Sequence, residues 1–325
     1  MKTLRTNWRS MIAAACLIVP ASGAQAQMQD LIFTAGPQGG GWYASAAAVT
    51  QILSREFEDL RVTVNEGGAV SNVRALNQGQ DAQLGYSWTS FLSDGISGTG
   101  DFEGDPQNNV SPIMTMQRNY ISIVVPAESG ITSLEDLSDK VTLSGRRGGG
   151  AERAFEKLMG LIGVTYDDIR DNGGSIVFSG YGDGPSLMRD GNIDALVIPG
   201  PAPHNLILQI ESQIPIRILE VDTPILENFV ENNTGFGIDE IPADVYGGQT
   251  EPVTVLASYT VLAVSDSLDD EMVYELTEAL YENREEIAAV VPDFGFLSPD
   301  TLFYGIDEEE VHPGAMRYFQ ENVLN

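Results

Sequence analysis

Two stretches place three consecutive glycines between an apolar run and a helix-like segment: "TAGPQGGGWYASA" at 34–46 and "TLSGRRGGGAERA" at 142–154. A helix start leaves its first N–H groups without intrahelical acceptors and carries partial positive charge. A loop free of side chains there lets an anion approach closely. Gly40 and Gly41 in the first stretch, and Gly148, Gly149 and Gly150 in the second, are therefore candidate ligand contacts. Tight turning alone would also call for glycine at either place, but recurrence at equivalent positions favours a cradle used twice. Arg146 and Arg147 flank the second triplet; a guanidinium can hold a carboxylate through two parallel hydrogen bonds, or pair with surface acids.

The same geometry nominates further wall residues. Trp42 and Tyr43 begin the first helix, where a ring can cover a ligand or pack into the core. "NEGGAVSNV" ends one strand and starts a helix, offering Gly68, Ser71 and Asn72; the next strand ends in Ser87 and Trp88. His204 follows a strand in "PGPAPHN", as a ligand contact or an ordinary helix cap.

Catalysis finds little support. The chain has two histidines and no G-x-S-x-G elbow, paired zinc-ligand spacing is missing, and "DGNID" lacks the later Gly and Glu of a calcium loop. Neither glycine stretch fits a dinucleotide fingerprint or a P-loop. No enzyme, metal or cofactor is expected.

These candidates need elements to hold them. "DLIFTAG", the helix-period run through Val49, Ile52, Leu53 and Phe57, and "RVTVNEGG" form a βαβ unit. "AVSNVRALNQG" adds a short helix stopped by Gly79, and "DAQLGYS" a strand. About 110 residues later the order recurs: a short helix closed by a capping box of Thr132 and Glu135, then "KVTLSG", the glycine loop, "AERAFEKLMGLIG", "SIVFSG", "PSLMRDG" and "NIDALVIPG". Alternating strands and helices imply an α/β fold with mainly parallel sheets in two lobes. "NYISIVVPAES" and "LASYTVLAVSDS" are the crossings that hinge them, giving lobe I as 27–122 plus 260–325 and lobe II as 123–259, with a ligand cleft between. A single C-terminal helix through "DEMVYELTEALYENREEIAAVV" braces the fold with Val273, Leu276, Leu280, Ile287 and Val290 on one face.

Residues 1–26 read as a secretory signal peptide, with Lys2, Arg5 and Arg9 before an apolar run and a small-residue site that predicts cleavage after Ala26. Cleavage removes Cys16, the one cysteine, so the mature chain has no thiol chemistry, and a periplasmic location is expected. With 47 acidic residues and, after loss of three basic ones with the leader, 14 basic residues, the mature chain carries 33 net negative charges. Such a surface repels phosphate backbones, so no nucleic-acid partner is expected. Solubility accounts for the acidity better than a specific cationic partner does.

Taken together, "GPQGGGWY", "NEGGAVSNVRALNQGQDAQLGYS", "YISIVVPAESGITSLEDLSDKVTLSGRRGGGAE", "GNIDALVIPGPAPHN" and "HPGAMRYF" resemble, in order and over nearly the whole mature chain, the TAXI family of solute receptors of tripartite ATP-independent periplasmic (TRAP) transporters. The resemblance implies a type II periplasmic-binding-protein fold that closes on a small solute, in relatives a carboxylate such as glutamate or an oxo-acid, and delivers it to a membrane permease. Carried over by segment, the pocket draws on Gly41, Tyr43, Ser71, Asn72, Ser87, Gly149, Gly150 and the loop at Pro201. Two departures stand out: "RRGGGA" replaces a G-S-G-T-like loop, losing its hydroxyls, and "YSW" replaces a more polar turn. A monomer is expected. The competing expectation is a receptor of the same fold serving an ABC importer or a sensor kinase, with a neutral or cationic ligand.

Overall fold

The computed structural model describes residues 29–324 apart from Pro37, Gly39 and Gly40. The expected signal peptide and Gly40 lie outside the described residues.

The first lobe opens with β1 (Gln29–Thr34), α1 (Gly41–Glu56), β2 (Leu60–Asn65), α2 (Ala69–Gln78), β3 (Leu84–Trp88) and α3 (Thr89–Ser97). The chain crosses on β4 (Val110–Pro126) into β5 (Val141–Leu143), α4 (Gly150–Leu161), α5 (Tyr166–Asp171), β6 (Ser175–Val177), α6 (Gly184–Arg189) and β7 (Ala195–Gly200). There follow α7 (Asn205–Glu211), β8 (Ile216–Ile218), α8 (Thr223–Glu231) and β9 (Phe236–Ile241). It returns on β10 (Val253–Ser265) and ends in α9 (Asp270–Glu282), α10 (Arg284–Val290) and α11 (Pro313–Asn322).

One curled sheet runs β2-β1-β3-β10-β4-β7-β5-β6, with β8 beside β4 and β9 beside β10. Pairing is parallel among β1, β2 and β3 and among β5, β6 and β7, as helical crossovers require. The long strands β4 and β10 lie antiparallel between the two parallel sets, and their register shifts at Thr260/Val261 and at Leu262/Ala263. These are the two crossings expected from sequence. Bulges of this kind bend and twist a strand, which lets one sheet serve both lobes.

Side-chain alternation assigns each face. Leu31 and Phe33 of β1 and Leu262 and Val264 of β10 face a core covered by α1, α9 and α11, whereas Val261 and Ala263 face Val73, Leu76 and Phe102 on the other side. In the second lobe, Ala195 and Val197 pack with Phe155, Leu158 and Phe229, and Leu196 and Ile198 with Ile207, Ile210 and Ile216. Fully burying each such aliphatic or aromatic side chain contributes about 1.5–3 kcal/mol.

Gly79 and Gly191, which end α2 and α6 at matching points of the two lobes, both adopt the left-handed conformation, at φ 70° in each case. Two local expectations are corrected. The turn at Thr132 is closed by Asp136 rather than Glu135: its carboxylate accepts from the Thr132 amide at 2.7 Å and from the Thr132 hydroxyl and Ser133 amide at 3.0 Å. The helix turn starts at Glu135, so the carboxylate facing back is one residue further on. The C-terminal brace is also broken at Asn283, whose side chain donates to the Ala279 carbonyl at 2.8 Å. After the break Ile287 remains buried, but Val290 turns to solvent with 54 % exposure.

Candidate functional site

The start of α2 is built by residues distant in sequence. Asn72 is fully buried; its amide nitrogen donates to the carbonyls of Ala35 and Tyr86, both at 2.7 Å, and its oxygen accepts from the Thr34 hydroxyl at 2.7 Å and the Gly68 amide at 3.1 Å. It therefore fastens the ends of β1 and β3 to the start of α2. Gly67 makes room for it, since a Cβ there would lie 1.9 Å from Asn72 Oδ1. Buried Ser87 donates to the Ala69 carbonyl at 3.1 Å, holding the first residue of the helix. Ser71 is exposed, and its hydroxyl oxygen accepts from the Gly68 amide at 2.9 Å. The first-turn amides of α2 have no acceptor within the helix and point along its axis.

Facing them is the start of α4. Gly148 is left-handed, with φ 77°; its amide donates to Glu152 Oε2 at 2.9 Å, and the Gly149 amide donates to the Arg146 carbonyl at 2.9 Å. The protein's own buried Glu152 carboxylate thus takes one amide of the second glycine loop. Nearby, burial and then Glu152 push the Tyr181 phenol up to about 12.

A cavity of about 690 Å³ lies between these two starts. Trp42, Gly68, Ala69, Val70, Ser71, Arg74, Trp88 and Phe91 line it from the first lobe, and Gly148, Gly149 and Gly150 from the second. The lobes also touch around it: Arg153 Nη2 pairs with Asp101 Oδ1 at 2.5 Å, and the Thr89 hydroxyl donates to the Gly235 carbonyl at 2.6 Å. The walls are mostly aromatic and backbone, apt for enclosing the apolar body of a small molecule while a few polar groups orient it. A second hollow of about 540 Å³ lies on the second lobe between β8 and the Tyr246–Val253 segment, and none of its lining residues belongs to a glycine triplet.

Of the residues nominated from sequence, Trp42, Gly68, Ser71, Trp88 and Gly148–Gly150 come together in the cavity wall. Asn72 and Ser87 stand behind that wall, with their polar atoms engaged by the protein. Gly41 begins α1, and Tyr43 is half-buried two residues along; neither lines the cavity. Arg146 and Arg147 are exposed outside it, the Arg147 guanidinium resting 4.0 Å above the Phe178 ring. His204 caps α7, its Nδ1 accepting from the Leu206 amide at 3.2 Å, and burial lowers its pKa. Neither it nor neighbouring Pro201 lines the cavity.

Sequence reasoning overlooked Arg74 and Phe91. Arg74 was within reach of it, being three residues after Ser71 and hence on the same helix face. Its guanidinium lies 4.6 Å from the Phe102 ring centre, with Nη1 on Asp105 at 2.8 Å and Nη2 on the Asp101 carbonyl at 2.5 Å. Glu152 had a signal too, an acid three residues after the N-cap Gly149.

Solved structures share this architecture. A TctC solute-binding protein from Polaromonas, solved without ligand, aligns over 81% of this chain and 87% of its own with 14% identity and a TM-score of 0.51. A Xanthomonas citri protein bound to chloride ion aligns over 90% and 95%, with 13% identity and a TM-score of 0.51. The fold is accordingly that of the two-lobed periplasmic binding proteins. The sequence profile of the NMT1-like family matches residues 33–322, and the chain belongs to that family.

Proposed function

We propose that this protein is an exported periplasmic solute receptor that captures a small organic anion by hinge closure and delivers it to a TRAP-type permease, in the manner of the TAXI receptors it resembles. In this reading lobe I comprises 27–122 and 260–325, lobe II comprises 123–259, and the receptor works as a monomer. The supporting observation is the cavity walled by the α2 start and Trp42 on one side and Gly148–Gly150 on the other. A carboxylate would meet the first-turn amides of α2 and Arg74, and its carbon body would lie against Trp42, Trp88 and Phe91. One helix start supplies only about 0.3–1 kcal/mol, up to about 2 when partly buried. Micromolar binding needs about 8 kcal/mol, so contacts from both lobes are required. Closure follows because a solute touching both walls binds the closed form better than the open one. Screening over about 8 Å keeps the acidic surface from deciding the ligand's charge.

Binding rather than catalysis also fits the shared fold with a protein called a solute-binding protein. A neutral or cationic solute is the second reading, favoured by Glu152 already filling part of the α4 amide cradle and by Asp105 already paired with Arg74. In that reading the receptor could equally serve an ABC importer or a sensor kinase. A thermal-shift panel of dicarboxylates, oxo-acids, amino acids and polyamines decides between the two. Stabilisation by carboxylates supports the anion reading, and stabilisation by polyamines alone overturns it.

A further inference from the structure

Beneath the cleft, one hydroxyl joins the solute wall to both crossing strands. The Trp42 indole N–H donates to Thr260 Oγ1 at 3.0 Å, and the Asn119 side-chain amide donates to the same oxygen at 3.1 Å. Thr260 is fully buried and Asn119 nearly so, so loss of the shared acceptor would leave the Asn119 donor unpaired in a buried site, which is costly. Thr260 is also where β10 slips against β4: it pairs with Gln117, whereas the next residue, Val261, pairs with Thr115. Its partner on the other side is Trp88 of β3, the second cleft tryptophan.

From this arrangement we infer that Thr260 is a positioning residue for closure: its hydroxyl locks Trp42 to β4 and β10 at the bulge and so sets the angle between the lobes. The inference rests on the proposed cleft reading only for its consequence, that a solute pressing on Trp42 acts directly on the hinge. The lock itself is a property of the solute-free protein.

The test exploits the absence of cysteine after residue 16. Glu58→Cys in the first lobe and Asp171→Cys in the second, both exposed positions, carry spin labels on the mature chain, and the distance between them is measured by pulsed electron resonance without added solute. Thr260→Val, which keeps the shape and removes the acceptor, is expected to shift the distribution to longer distances and broaden it. Thr260→Ser is expected to restore the wild-type distribution. Trp42→Phe, which removes the donor but keeps a ring, is expected to shift it in the same direction and decides the matter if Thr260→Val does not fold. Superposition of Thr260→Val or Trp42→Phe on the wild type, or an equal shift in Thr260→Ser, overturns the inference. None of these outcomes bears on whether the cleft binds a solute, and a silent solute panel leaves the distance measurement standing.

Discussion

The indole of Trp88 occupies the space into which a side chain at Gly150 would grow: a Cβ on Gly150 would lie 2.1 Å from Trp88 Cζ3. The two residues belong to different lobes, and Trp88 packs partly against the second-lobe core. Close approach, more than turning, is what requires glycine at the start of α4.

Gly150→Ala should therefore wedge the lobes apart. Small-angle scattering is expected to give a larger radius of gyration for the variant, with affinity for any cleft solute reduced at least about tenfold, equivalent to about 1.4 kcal/mol. Gly160→Ala in the same helix is the control, because no described residue beyond its own stretch of helix lies within 4 Å of its Cβ position. It is expected to leave the scattering unchanged and stabilise the protein by up to about 1 kcal/mol. Equal scattering from wild type and Gly150→Ala would mean the Trp88 contact does not limit closure.

Asn72→Ala should act on stability before it acts on binding. It strips partners from Thr34, Ala35, Gly68 and Tyr86 in a buried site, and a loss of about 2–4 kcal/mol in urea unfolding is expected. Ser71→Ala, at an exposed position, should cost under about 1 kcal/mol. A stable Asn72→Ala that merely loses solute would assign Asn72 to the ligand instead of the scaffold.

Both histidines cap helices through Nδ1: His204 accepts from the Leu206 amide and His312 from the Gly314 amide, each at 3.2 Å. Burial lowers both pKa values from the ordinary 6.5. A depressed folded value means the unfolded chain takes up the proton first. The stability they contribute is thus complete above about pH 6.5 and is lost as pH falls through their folded values. Unfolding free energies from urea titrations should decline as pH falls below about 6.5. His204→Asn with His312→Asn keeps an acceptor at each cap and should flatten that decline. An unchanged slope in the double variant would place the pH dependence elsewhere.

The fold was legible where local periodicity reports burial. The unbroken apolar runs in "ALVIPG" and "TVLAVS" reflect a sheet covered on both faces, and the glycine stops at Gly79 and Gly191 reflect a backbone conformation that side chains disfavour. The site was only partly legible, because polar residues near a strand end look alike whether they serve a ligand or the scaffold. Asn72 and Ser87 satisfy carbonyls of Ala35, Tyr86 and Ala69, neighbours that only the folded chain supplies. Arg146 and Arg147 adjoin the second triplet in sequence, yet both are exposed outside the cavity, and the cation lining it is Arg74, on an ordinary amphipathic helix. The acidic Glu152 inverts the simplest expectation for a helix start, since the anion nearest those amides is supplied by the protein.

Trp42 and Trp88 are the two tryptophans that follow residue 26, and both line the cavity, so tryptophan emission of a protein made from residue 27 onward reports on the cleft. Titration with the carboxylate that stabilises the protein most should give a saturable change in that emission, weakened at least about tenfold in Arg74→Ala. Thermal stabilisation by that carboxylate with no change in tryptophan emission would place the bound solute outside the cleft and contradict the account.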